Sequence, residues 1–107
     1  MDRENYNLYS RAIRQWGIRA QFDMVIEEMA ELTKEILKSR RKGLLHNQKE
    51  IVEELVDVEI MIGQLKVILS DHLHSFPPLY HNLRNEKLNR LKEMLENEPL
   101  QEREENV

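Results

Sequence analysis

The chain has 107 residues, of which 40% are hydrophobic and 34% charged, and its formal net charge is −4. That length suits a single domain spanning 1–107 and is short for two; the composition excludes a disordered chain, and the acidic balance argues against nucleic acid as the main partner. With no cysteine there is no disulfide, and with neither a signal peptide nor an apolar run of spanning length the expected location is cytoplasmic, away from any membrane.

Taken in chain order, Tyr6, Tyr9, Ile13 and Trp16 recur at helical spacing, so residues from about 4 to 16 are expected to form a first helix that Gly17 ends. A second helix is expected from about Arg19 to Ser39, with Phe22, Val25, Ile26, Met29, Leu32, Ile36 and Leu37 as its apolar face. The stretch "RRKGLLHN" breaks the pattern around Gly43. Asn47 then stands three residues before Glu50, the spacing of a helix N-cap followed by a helical acid. The third helix, from about Gln48 to Leu73, is apolar nearly all round its axis, with Ile51, Val52, Leu55, Val58, Met61, Ile62 and Leu65 pointing in different directions. A helix of that kind is buried on every side, and three other short helices can hardly cover it, so a partner subunit is expected. Pro77 and Pro78 in "SFPPL" are expected to break the chain before a fourth helix from about Tyr80 to Glu96. The ordered core is thus expected over about 4–96, with an acidic tail, 97–107, that frays. The fold class is all-α: a four-helix bundle-like protomer with a buried central helical hairpin, assembled as an oligomer.

The anomaly in this pattern is acidic. Glu28, Glu31 and Glu35 form one row on the second helix at the edge of its apolar face, at about 100° per residue. On the third helix, Glu54 and Asp57 share a face with Glu50, and Met61, Leu65 and Ile68 continue that face. Two carboxylates about 4 Å apart repel by roughly 4 kcal/mol at an effective dielectric near 20. Protonation, pairing with Lys or Arg, or a divalent cation relieves that strain. Acids at i and i+3 place their oxygens within reach of one ion. Two such pairs face to face offer hard oxygen ligands, which suit Mg²⁺ or Mn²⁺ and not zinc. The plainer reading is a solvated helix face laced by i, i+4 ion pairs. Two acidic pairs on consecutive apolar helices, joined by a loop of hairpin length, weigh against it.

The paired motif, "EEMAE" over Glu27–Glu31 and "ELVD" over Glu54–Asp57 with 22 residues between, resembles the MazG-like family of all-α nucleoside triphosphate pyrophosphohydrolases. The flanks "QWG" and "DVEIMIGQLK" are similar to its small single-domain, phage-type members, and the likeness covers about Ile13 to Leu69, with a looser match at "EKLNRL". The resemblance implies hydrolysis of a (d)NTP to (d)NMP and pyrophosphate, in nucleotide-pool control or house-cleaning; a phage-encoded chain would act in the host cytoplasm. It implies Mg²⁺, with Mn²⁺ as a substitute, held by Glu28, Glu31, Glu54 and Asp57, while Glu27 supports a ligand or orients the attacking water. It also implies a homo-oligomer, dimer or tetramer.

Lys34 and Lys38 on the second helix, and Lys87 and Arg90 on the fourth, are candidate phosphate contacts, though each reads equally well as an exposed cation. Trp16 is the candidate wall for a nucleobase and Gln21 the candidate hydrogen-bonding partner for its edge; a lone Trp at helical spacing is also an ordinary core residue. His72, His74 and His81, around the proline break, read as a polar helix end. The competing function is a non-catalytic helical module for oligomerisation or protein interaction. The two readings separate on the acids, because a module tolerates their neutralisation and an enzyme does not.

Overall fold

The computed structural model describes residues 3–98 and 100. It contains four α-helices: α1 (Arg3–Trp16), α2 (Ile18–Lys42), α3 (Gln48–His72) and α4 (Phe76–Asn97), with one 3-10 turn at Leu44–His46 between α2 and α3. No strand occurs among the described residues, so the chain is all-α. These residues fall into two compact units, one up to Leu69 and one from Ser70 onward. No helix among the described residues is long and apolar enough to cross a membrane. The tail expected to fray lies mostly outside the described residues; of it, Asn97 closes α4 and Leu100 is exposed.

Local chemistry explains the helix ends. α1 stops at Gly17, whose N–H bonds the Ile13 carbonyl at 2.8 Å. α2 runs one turn past Ser39, because Arg40, Arg41 and Lys42 are good helix formers whose charges complement the carbonyl end of the dipole. Gly43 then takes φ 91°, a conformation that side chains resist, and its N–H bonds the Ser39 carbonyl at 2.7 Å. α4 starts at Phe76 rather than Tyr80. Pro77 and Pro78 occupy its first turn, where a proline lacks only an N–H that would have had no helical partner. They open this helix instead of excluding it.

Within the first unit, α2 and α3 form an antiparallel hairpin. Gln21 faces Gln64 near the open end, and Glu35 faces Asn47 near the turn. Among the described residues, the buried apolar side chains are Val25, Met61, Val67 and Ile68. Gly63 lets α1 approach α3 closely, since a Cβ there would stand 2.5 Å from Cε2 of Tyr9. The apolar circumference of α3 therefore divides in two. Its C-terminal half supplies Met61, Val67 and Ile68 to the core, whereas Val52, Leu55, Val56 and Ile60 in its N-terminal half stay exposed. Among the described residues, the N-terminal half of α3 thus keeps an open apolar side.

In the second unit, no α4 residue is buried. The Phe76 and Tyr80 rings pack at 5.6 Å with a 34° tilt. Leu79, Leu83, Leu88 and Leu91 continue an open apolar groove along the same helix.

Candidate functional site

The hairpin register brings three acids together. Glu28 comes from the middle of α2, and Glu54 and Asp57 from successive turns of α3. One carboxylate oxygen from each lies within 4.8 Å of the others. Glu28 and Glu54 are half-buried and Asp57 is exposed. These three residues could hold a cation after a small inward shift of their carboxylates, since ligand oxygens on one Mg²⁺ lie no more than about 4.2 Å apart, and hard oxygens are the donor type that Mg²⁺ and Mn²⁺ take.

The electrostatics follow from the packing. Removal from water, and then the charges of Asp57 and Glu54, push the Glu28 carboxyl above its ordinary range. Glu54 is pushed the same way, first by removal from water and then by the charges of Asp57 and Glu31. Neither Glu28 nor Glu54 is a member of the ion pairs Lys38–Glu35 and Lys49–Glu53, which use other acids of the same two helices. So neither of these ion pairs relieves the mutual repulsion. Water reaches these half-exposed groups and screens part of that repulsion; proton uptake or a bound cation would relieve the rest.

The other expected site residues are placed as follows. Glu31 is exposed and stands outside the group of three, although its charge is felt by both Glu28 and Glu54. Glu27 is exposed beside Glu28 and adds to the same repulsion. Lys34 is exposed one turn beyond Glu31. Lys38 is half-buried, with Nζ 3.5 Å from Glu35 Oε1. Lys87 and Arg90 are exposed on α4, in the second unit, and Lys87 borders its apolar groove. Trp16 is 63% exposed at the end of α1 and is not a core residue. Gln21 is the opposite case: it is 3% exposed, and its Nε2 donates to Gln64 Oε1 at 2.6 Å. A base edge could reach that amide only by opening this bond. No histidine joins a ligating group among the described residues.

Two features were not assigned a role from sequence. The first is a polar knot at the turn. Asn47, only 2% exposed, does not use its side chain to cap α3. Its Nδ2 instead donates to Glu35 Oε2 at 2.6 Å and to the Glu35 carbonyl at 3.0 Å. Its Oδ1 accepts from Ser39 Oγ at 2.7 Å. The hydrogen bond from Asn47, aided by Lys38 and Lys34, holds the Glu35 carboxyl below its ordinary range despite opposing burial. Glu35 continues the Glu28–Glu31 row yet points its oxygens at the turn. The second is Gln64, which lies seven residues past Asp57, just as Gln21 lies seven before Glu28. That matched spacing is visible in the sequence and is the signal for it.

No protein-family model matches this chain, and neither does any curated protein or solved structure.

Proposed function

We propose that this chain is a divalent-cation-dependent nucleoside triphosphate pyrophosphohydrolase that cleaves a (d)NTP to the (d)NMP and pyrophosphate. The observation that carries the reading is the convergence of Glu28, Glu54 and Asp57 within 4.8 Å, outside the Lys38–Glu35 and Lys49–Glu53 ion pairs. Folding draws carboxylates together against their repulsion, and a cation is what makes such an arrangement useful. The paired motif with its MazG-like spacing supplies the substrate class.

In this reading Glu28, Glu54 and Asp57 hold the cation, and Glu31 completes the set by a rotamer change from its exposed position. Held by these carboxylates, Mg²⁺ or Mn²⁺ would supply positive charge to offset that of the phosphates and would make a bound water more acidic. Glu27 accepts a hydrogen bond from the attacking water and aims it. Lys34 and Lys38 stand on the same helix to meet phosphate oxygens, Lys38 by leaving Glu35. The exposed Trp16 offers a stacking face. No covalent nucleophile is needed. Assembly into a homo-oligomer covers apolar side chains that the protomer leaves open, among them Ile26, Val52 and Leu95, exposed by 67%, 56% and 69%.

That same apolar exposure supports the second reading, a non-catalytic helical assembly module. The test is to incubate the protein with NTPs and dNTPs, with Mg²⁺ or with EDTA, and to separate pyrophosphate from orthophosphate. Cation-dependent pyrophosphate, abolished in Glu54→Gln, is the expected result. Orthophosphate would replace the cleavage position, and no turnover with no cation binding would leave the assembly module.

A further inference from the structure

The acid cluster lies between two polar ties, each two helical turns away. On one side Gln21, seven residues before Glu28, is bonded to Gln64, seven residues after Asp57. On the other, Glu35, seven residues after Glu28, is bonded to Asn47, seven residues before Glu54. Seven residues are nearly two turns, so tie and acid share one helix face about 10 Å apart along the axis. All four tie residues are buried, at 3%, 6%, 8% and 2% exposed.

Buried amides are a poor way to gain stability. Two leucines in place of Gln21 and Gln64 would fill the same seam without polar groups to satisfy. What an amide pair provides is position. Apolar side chains pack almost equally well after a small slide, whereas a 2.6 Å hydrogen bond does not survive one. A lone polar residue in a helix–helix seam can set register at the expense of stability. The hairpin needs such a device, because the three carboxylates push α2 and α3 along or away from each other. A slip of one turn, about 5.4 Å, would separate Glu28 from its partners by more than the 4.8 Å that groups them.

We infer that Gln21–Gln64 and the Glu35–Asn47–Ser39 knot are positioning groups that lock the α2–α3 register against carboxylate repulsion, holding the acids ready for a divalent cation. The part concerning the cation rests on the proposed function; the part concerning register does not.

The test is the double variant Gln21→Leu/Gln64→Leu, beside Gln21→Leu alone and Asn47→Ala. Melting temperature is followed by circular dichroism, and Mn²⁺ binding by the EPR signal of the free ion. Register is read separately. The chain has no cysteine, so Ala30→Cys and Glu53→Cys, both exposed positions, carry the only two nitroxides when introduced together. The double variant is expected to melt at or above the parent temperature, to broaden the nitroxide distance distribution, and to bind Mn²⁺ more than about twofold more weakly, because the carboxylates no longer keep one spacing. Gln21→Leu alone melts lower, since it strands the Gln64 amide, and so does Asn47→Ala. A purely structural role would move stability and affinity together, so their opposite movement is diagnostic. A double variant with a sharp parental distance and Mn²⁺ affinity within twofold of the parent overturns the inference. If the parent binds no Mn²⁺, the proposed function fails, and the nitroxide distances alone decide whether the register lock stands.

Discussion

Replacing Gly63 by alanine adds one methyl group where α1 meets α3. That carbon would lie 2.5 Å from Tyr9 Cε2, 3.2 Å from Cζ and 3.3 Å from Cδ2. Ordinary carbon contacts are about 3.5–4.0 Å, so the overlap is about 1 Å and the Tyr9 ring must move. Overpacking of this kind costs about 1–3 kcal/mol. Against it, alanine is about 1 kcal/mol better than glycine inside a helix. The clash wins, and Gly63→Ala is expected to destabilise the parent by about 1 kcal/mol, or roughly 4–8 °C in melting temperature for a chain of this size. In a Tyr9→Ala background nothing opposes the helix gain, and the same substitution is expected to stabilise by up to about 1 kcal/mol. The assay is urea unfolding of the four proteins, read as a double-mutant cycle. Equal stabilisation in both backgrounds would refute the packing of Tyr9 on Gly63. The contact bears on the candidate site because Gly63 adjoins Gln64, so a displaced α1 would strain the Gln21–Gln64 bond.

Two further outcomes follow from the acids. In EDTA, Glu28→Gln and Asp57→Asn are each expected to raise the melting temperature by a few degrees, since each removes one charge from a repelling group, while Mn²⁺ binding followed by EPR is lost; a lower melting temperature in both would mean that the acids stabilise the fold. The pH dependence has two limbs. Glu28 and Glu54 are raised above their ordinary 4.5, so on acidification the folded state takes up their protons first and stability rises until pH falls to about 4.5. Glu35 is lowered from 4.5, so its contribution is complete above that value and disappears as pH falls through its folded pKa. Melting temperature in EDTA should therefore pass through a maximum near pH 4.5, and Glu28→Gln should flatten the rise; a steady decline from neutral pH would count against the cluster.

Periodicity made the helices legible, because Tyr6, Tyr9 and Ile13 or the apolar positions of α2 can be counted without knowing the fold. It misplaced ends where one residue type has two uses. Pro77 and Pro78 read as a stop, yet a proline is equally suited to opening a helix, and only the chain after it decides. Asn47 read as a cap for α3, but in a tight hairpin its amide finds Ser39 and Glu35 across the turn, a choice that depends on tertiary proximity. The acids were legible as a pattern because Glu28, Glu54 and Asp57 follow helical geometry on adjacent elements. Which side chains meet was not, since Glu31 differs from Glu28 by only a fraction of a turn and that fraction leaves it exposed. Gln21 reads as a candidate partner for a base edge because an amide has both donors and acceptor; its bond to Gln64, 43 residues away, depends on the fold and is not legible locally.

The seven-residue spacing of Gln21, Glu28 and Glu35 on α2, matched by Asp57 and Gln64 on α3, also governs how the gene can change length. Deleting one residue between Gln21 and Glu28 rotates one part of the helix against the other by about 100°, which turns the amide and the carboxylate onto different faces, so the Gln21–Gln64 tie and the acid cluster cannot both be kept. Deleting seven from each helix preserves phase. Insertions and deletions in this hairpin are therefore tolerated only in whole pairs of turns made on both strands of the hairpin together, whereas the exposed turn at Leu44–His46 carries no such bookkeeping.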